Sequence, residues 1–323
     1  MKHVDWSYGY IAKSVVINGK YKETRNGDVL STFGNTFEHS MEYGFPILTT
    51  KKVSINNVLS ELLWFASGST NIRFLLERKC NIWNDDAYNY YNKLIDENSV
   101  LDKQAFIEKI KADTAFANVF GDLQGIYGKY WSMLEYILDG IKKDMYGRRH
   151  LLVSWDNISS QFAALPPCHY AMQFYVDPIR KEDAIDLLEY QGIEYDEIPE
   201  YAISMLWNQR SVDVALGLPY NISSYGLLLH IVASYLGMIP NKLIGHLGDT
   251  HIYTQHIDQL VEQINQHTYS LPQLKISPDI NFTKPFSNVI TQMIDHPEPI
   301  VLHNYMYSKE YKYELFTKTK PKQ

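Results

Sequence analysis

The sequence has no run of 18 or more apolar residues, so a membrane-spanning helix is not expected. It has two cysteines, Cys80 and Cys168, and no C-x-x-C string. That argues against a disulfide framework and against a cysteine zinc site, and leaves thiol chemistry open. No G-x-G-x-x-G or Walker A string occurs, so parallel Rossmann order and a P-loop are not indicated. Basic residues are not in excess: 30 Lys and Arg face 37 Asp and Glu, a net charge of -7. General nucleic-acid binding is therefore not indicated, although a local phosphate site is compatible with that balance. The opening MKHVDWSYGYIAKSVV lacks a signal-peptide h-region and a small-residue cleavage site. With few cysteines and no span, the expectation is a soluble cytoplasmic protein. Internal repeats and low-complexity linkers are also missing.

What is present is a core-forming composition, 45% hydrophobic and 14% aromatic over 323 residues. The segment 53–66 puts Val58, Leu59, Leu62, Leu63 and Ala66 on one helical face, and 69–79 continues as a second short helix. Strands are expected at 150–156, 169–176, about 201–214 and roughly 242–253. A buried helix with a serine start is expected at 223–238 and a polar helix at 254–266. Two stretches look like surface insertions: 86–118, rich in Tyr, Asn and Lys, and 177–200. The second holds nine acids against Arg180 and Lys181, so it accounts for the whole net charge. The chain is expected to form one α/β domain with a mixed or antiparallel sheet.

LPPCHY (165–170) is the most informative local string. Pro166 and Pro167 stiffen the entry to a strand and so hold the Cys168 thiol in place. A lone cysteine is most often a buried structural residue, and that reading stands beside the nucleophile. In a Cys-His hydrolase, His169 could not be the base, because neighbours on a strand point to opposite faces. A nucleophilic thiol needs a lowered pKa, usually from a nearby cation, and Arg210 in QRSVD (209–213) is a candidate.

FPILTTKK (45–52), ELLWFASGSTN (61–71), IW (82–83), YGRRHLLVSW (146–155), LPPCH (165–169), QRSVDVALGLPYNISSYGLL (209–228) and GDTHIY (248–253) occur in this order. From about residue 20 to 265 they resemble the thymidylate synthase family and the related pyrimidine hydroxymethylases. The resemblance implies an α+β domain over 1–323 with a largely antiparallel mixed sheet, a homodimer, and 5,10-methylenetetrahydrofolate as carbon donor, without a metal. Cys168 would attack C6 of the pyrimidine. Arg210 would hold the nucleotide phosphate beside the thiol, and Ser211 would donate to that phosphate. Arg148 and Arg149 would cross to the partner subunit's nucleotide, a use that bidentate phosphate recognition suits. His251 and Tyr253 would bind the deoxyribose 3'-hydroxyl. Arg25 would contact the phosphate, although RNGDVLSTFG (25–34) is one residue shorter than the family's loop. Glu61 would run proton transfers, its pKa raised by apolar neighbours. Tyr127 would help remove the C5 proton. Trp83, Ile82, Asp213, Leu216, Gly217 and Tyr220 would line the folate site, with Lys51 on the glutamate tail.

Asn221 selects the base. A carboxamide can accept from uracil N3–H and donate to O4, a pattern that cytosine reverses. The cytosine-specific hydroxymethylases resemble this sequence but carry Asp here, so dUMP is expected. The product depends on water exclusion. Hydride transfer from the folate gives dTMP, whereas water addition gives 5-hydroxymethyl-dUMP. Trp83 resembles the shielding tryptophan of the synthases and favours dTMP. The tail from 306 to 323 favours the alternative, because ELFTKTKPKQ replaces the usual short apolar close. A nucleotide- or RNA-binding regulator without activity is disfavoured by intact Cys168, Arg210, Glu61, Asn221 and Asp213.

Overall fold

The computed structural model describes residues 3–316 apart from 97–99, 124–130, 132, 159, 161–162, 194 and 196. Helix α1 (Val4–Asn18) opens the chain and was not foreseen from the sequence. Its residues Val4, Tyr8, Ile11, Ala12 and Val15 recur at helical spacing and are buried. A hairpin follows, β1 (Lys20–Thr24) and β2 (Gly27–Ser40), turning through Arg25 and Asn26. Helix α2 (Ile55–Ala66) starts at Ser54, whose side chain accepts from the Asn57 N–H. Val58, Leu62 and Leu63 are buried, as their spacing requires, while Leu59 and Ala66 are half-buried.

Helix α3 (Arg73–Glu77) is followed by α4 (Asn84–Leu94), α5 (Lys103–Ala112) and α6 (Thr114–Phe120). Phe106 and Ile110 are fully buried, and Tyr91 stacks on Phe106 at 4.7 Å. An aromatic-rich segment anchors itself this way because rings bury much area per residue. Helix α7 (Leu134–Lys143) leads into β3 (Leu151–Val153), shorter than the expected 150–156. Strand β4 (His169–Pro178), the acidic helix α8 (Lys181–Gln191) and β5 (Tyr201–Asp213) come next. Helix α8 closes a small apolar cluster of Ala184, Leu188, Ala202 and Ile239 while its acids face water.

Helix α9 (Gly217–Leu236) begins six residues before the expected Ser223. Pro219 lies in its first turn, where a missing N–H is tolerated, so the proline does not delay the start. Strand β6 (Ile239–Tyr253) and a 3-10 turn (Thr254–His256) lead to α10 (Ile257–Ile264). A small sheet of β7 (Gln273–Ile276) and β8 (Ile300–His303) brackets α11 (Phe286–Asp295).

The six-stranded sheet has the order β1-β2-β6-β5-β4-β3. Only β5 and β6 pair in parallel, so the sheet is mixed and largely antiparallel. Helix α9 covers one face, with Trp207 of β5 stacked on Tyr225 of α9 at 5.2 Å. Among the described residues the other face is largely exposed. Phe33 is 87% exposed there, Tyr175 64% and Val153 45%. Among the described residues no helix is long and apolar enough to cross a membrane.

Candidate active site

The site lies where β4 begins and β5 and β6 end. Cys168 immediately precedes β4, and its carbonyl accepts from the Arg210 backbone N–H at 2.8 Å. The Arg210 guanidinium is spread over the same turn. Nε donates to Pro167 O at 2.8 Å and Nη2 to Pro166 O at 3.0 Å. Nη2 is also 3.9 Å from the Cys168 sulfur, and the guanidinium carbon is 5.4 Å from the centre of the Trp155 ring. The two prolines thus present carbonyls as well as stiffness, and a planar fork can use both. Gly248 of β6 permits this approach, since a Cβ there would collide with the Arg210 carbonyl.

Burial pushes the Cys168 thiol above its ordinary value, Arg210 pulls it down, and Asp86 adds to the rise. The lowering expected from the sequence is therefore outweighed by burial. One guanidinium does not offset the loss of water around the thiolate. His169 faces the other way. Its Nδ1 is 2.6 Å from the Tyr225 hydroxyl, and burial lowers its pKa to about 3. It belongs to the α9 side of the sheet and is not a base for Cys168.

Glu61 projects from α2, and its carboxylate accepts from the Trp83 indole N–H at 2.7 Å. Burial raises its pKa to about 7, which the Trp83 hydrogen bond partly opposes. A carboxyl poised near neutrality can both give and take a proton. Trp83 is held edge-on to Trp64 at 5.3 Å, and Ile82 packs against the same core. Asn221, within the first turns of α9 and not in a free turn, accepts at Oδ1 from Gln209 Nε2 at 2.9 Å. Gln209 also donates to Ser211 O at 3.1 Å and accepts from Trp207 Nε1 at 3.2 Å. The Asn221 amide is thereby oriented with its NH2 group turned from Gln209. Gln209 and Trp155 were not singled out in the sequence. The Q of QRSVD was the available signal, but its partner Asn221 lies 12 residues away on a different element.

Asp213 closes β5. Its Oδ1 accepts from the backbone N–H groups of Ala215 and Leu216 at 2.9 and 3.2 Å, which shapes the entry to α9 at Gly217. Asp213 Oδ2 accepts no hydrogen bond among the described residues, so an acceptor remains for a ligand N–H. Tyr220 is half-buried, and its hydroxyl bonds near Ser54 and Asn57. Ser211 pairs with Asp249 across β5 and β6, and His251 and Tyr253 follow on β6. Their rings stand perpendicular at 5.7 Å. Arg25 is exposed at the hairpin turn, close to Tyr253, whose ring also borders Gly27.

Three expected residues stand apart. Arg148 and Arg149 are exposed in the turn between α7 and β3. Lys51 is buried instead of reaching outward. Its ammonium donates to Ala215 O at 3.2 Å, lies 4.7 Å from the Tyr313 ring centre, and has its pKa lowered to about 8 by burial. Tyr127 falls outside the described residues, as do 317–323 of the tail. The described part of the tail is strapped across α10: Tyr311 donates to Glu262 at 3.0 Å and Tyr313 to Gln263 at 2.6 Å. Phe316 then packs on Tyr253 at 4.7 Å and on His256 at 5.1 Å. Among the described residues no group of three His, Cys, Asp or Glu side chains could hold a metal ion.

The described residues thus present a thiol beside an arginine fork, a carboxyl near neutrality against an indole, and an oriented carboxamide. The family model for thymidylate synthase matches residues 6–317. The chain is 38% identical over 283 residues to the thymidylate synthase of Phytoplasma mali, covering 85% of this chain and 90% of that one. It is 37% identical over 277 residues to that of Mycoplasma genitalium (83% and 88%), and 36% identical over 299 residues to that of Listeria monocytogenes (83% and 88%). The chain belongs to the thymidylate synthase family.

Proposed function

We propose that this site carries out the reductive methylation of dUMP to dTMP in the following way, with 5,10-methylenetetrahydrofolate as cosubstrate. Cys168 adds to C6 of the uracil, which makes C5 nucleophilic toward the one-carbon unit. Arg210 holds the phosphate while keeping the Pro166–Cys168 turn in place, and Ser211 donates to the same phosphate. Asn221, oriented by Gln209, reads uracil. Glu61 moves protons at the base, and Trp83 shields the reacting carbon from water. His251 and Tyr253 hold the 3'-hydroxyl. Asp213 and Tyr220, with Ile82, Leu216 and Gly217, frame the folate, and Tyr127 serves the C5 proton. The observation that carries this reading is the Arg210 fork, which contacts Pro166, Pro167 and the Cys168 sulfur at once.

Phe316 against Tyr253 supports water exclusion, because the tail already lies over the nucleotide side. The chain functions as one catalytic domain, with 86–118 and 177–200 as insertions and 306–323 as a divergent tail. It acts in the cytoplasm as a homodimer that stacks the exposed sheet faces. Supporting this, that face carries exposed Phe33, Tyr175 and Val153 and an open cavity of about 640 Å³ bordered by Trp155 and Arg210. Arg148 and Arg149 then reach the partner's phosphate; Arg25 completes the cluster and Lys51 meets the folate's glutamate tail once Tyr313 moves. The test is one incubation with dUMP and methylenetetrahydrofolate. The nucleotide is weighed by mass spectrometry while dihydrofolate is followed by absorbance. A methylated product with dihydrofolate supports the reading; a hydroxymethylated product without dihydrofolate overturns it.

A further inference from the structure

Asp249, Lys22 and Ser31, to which the proposed chemistry gives no role, are hydrogen-bonded to one another beside His251. Asp249 Oδ1 accepts from the Ser31 hydroxyl at 3.0 Å and lies 3.2 Å from His251 Nδ1. Asp249 Oδ2 accepts from Lys22 Nζ at 3.1 Å, and Lys22 also donates to Ser31 Oγ at 3.0 Å. The three supporting residues come from three adjacent strands. Lys22 is on β1, Ser31 on β2 directly opposite His251, and Asp249 two residues before His251 on β6. Ser31 is buried, so the cluster is held from beneath and does not depend on exposed side chains alone. Burial pushes the Asp249 carboxyl up, but the hydrogen bonds from Lys22 and Ser31 bring it below the usual carboxylate range.

An ionised carboxylate can only accept. Nδ1 of His251, facing it, must therefore carry the ring proton, and in a neutral imidazole Nε2 is then left as an acceptor. Tyr253, perpendicular to that ring, offers a hydroxyl that can donate. We propose that Asp249, braced by Lys22 and Ser31, is a positioning residue that fixes His251 as the Nδ1–H tautomer. His251 and Tyr253 then read a group that donates and accepts at one atom, a sugar hydroxyl. A 3'-phosphate, which only accepts, would meet the Nε2 lone pair and be rejected. This inference rests on the reading that His251 and Tyr253 hold the 3'-hydroxyl.

Two measurements on the full chain test it. The first is the 15N spectrum of histidine-labelled protein, with His251 assigned by difference from His251→Ala. The wild type is expected to show Nδ1–H, and Asp249→Ala to shift His251 toward Nε2–H. The second is binding of dUMP against 2',3'-dideoxyuridine monophosphate. Loss of the 3'-hydroxyl is expected to weaken wild-type binding about tenfold or more, and Asp249→Ala to shrink that ratio to about threefold. Asp249→Asn, which keeps an acceptor oxygen and the shape, should fall between, and Lys22→Met should show the smaller shift. An unchanged tautomer or an unchanged ratio in Asp249→Ala overturns the inference. If His251→Ala leaves the ratio at the wild-type value, the hydroxyl reading of His251 itself fails, whatever the spectrum shows.

Discussion

The nucleotide side and the C-terminal strap of this chain are held by different means. Arg210, Ser211, Asp213, His251 and Tyr253 sit on two long, paired strands, where backbone hydrogen bonds set their spacing. The strap, from Tyr305 to Phe316, has no strand partner. Two backbone bonds pin its middle, Ser308 N–H to Thr49 O at 2.9 Å and Lys52 N–H to Lys309 O at 3.1 Å, and side chains attach the rest: Tyr305 to Leu48 O at 2.9 Å, Lys309 to Glu262 at 2.6 Å, Tyr311 to Glu262 and Tyr313 to Gln263. A residue on a ladder can be replaced without moving its neighbours, so its loss reports on its chemistry. A residue in the strap takes part of the attachment with it. The strap is the part suited to opening and closing, since a few hydrogen bonds of about 1 kcal/mol each can be exchanged readily.

The largest expected effect is on the nucleophile. Cys168→Ala should lower kcat by about 10⁴-fold or more in a steady-state assay, with the fold intact by circular dichroism. Retained activity would place the chemistry elsewhere. Arg210→Lys comes next. A lysine keeps the charge but cannot span both proline carbonyls, so kcat/KM for dUMP should fall by on the order of 10²-fold. A near-normal Lys variant would mean that charge alone matters and that the fork is incidental. Asn221→Asp should move the ratio of kcat/KM for dUMP over dCMP toward dCMP by about 10²-fold. An unchanged ratio would sink the assignment of base recognition to Asn221.

The carboxyl on α2 sharpens the comparison through pH. Glu61 titrates near 7 in the folded chain against an ordinary value of 4.5. Between these values the folded protein binds the extra proton, so the Glu61 contribution to stability falls as pH rises through that window. Glu61→Gln should remove this slope from denaturant melts taken at pH 5 and pH 8. It should also abolish an inflection near pH 7 in kcat/KM. Trp83→Phe, which deletes the donor that lowers the pKa, should move the inflection upward. Tyr313→Phe should have the smallest effect. Losing its bond to Gln263 should raise KM for methylenetetrahydrofolate about fivefold and speed proteolysis of the strap, with a smaller rise for dUMP through the Phe316–Tyr253 contact. Equal effects on both ligands would erase the distinction between ladder and strap.

Much was legible in the chain because it is local. The apolar spacing of α2, the strands around LPPCH and QRSVD, and the opposed directions of Cys168 and His169 follow from backbone periods of 3.6 and 2. The string order carried the family. The early start of α9, the burial of Phe106 and the whole of α1 were not legible, because propensity does not say which neighbour will cover a face.

The sequence by itself determined which groups are available: a thiol after two prolines, an arginine in QRS, a glutamate in an apolar helix, and an asparagine two residues after Pro219. Tertiary structure alone decided their states. Burial raised Glu61 to about 7, turned Lys51 inward beneath Tyr313, and pushed the Cys168 thiol above its ordinary value despite Arg210. It also brought Lys22, Ser31 and Asp249 from three strands onto one histidine. Charge and proton placement depend on solvent exclusion and on partners distant in the chain, and no local pattern encodes either.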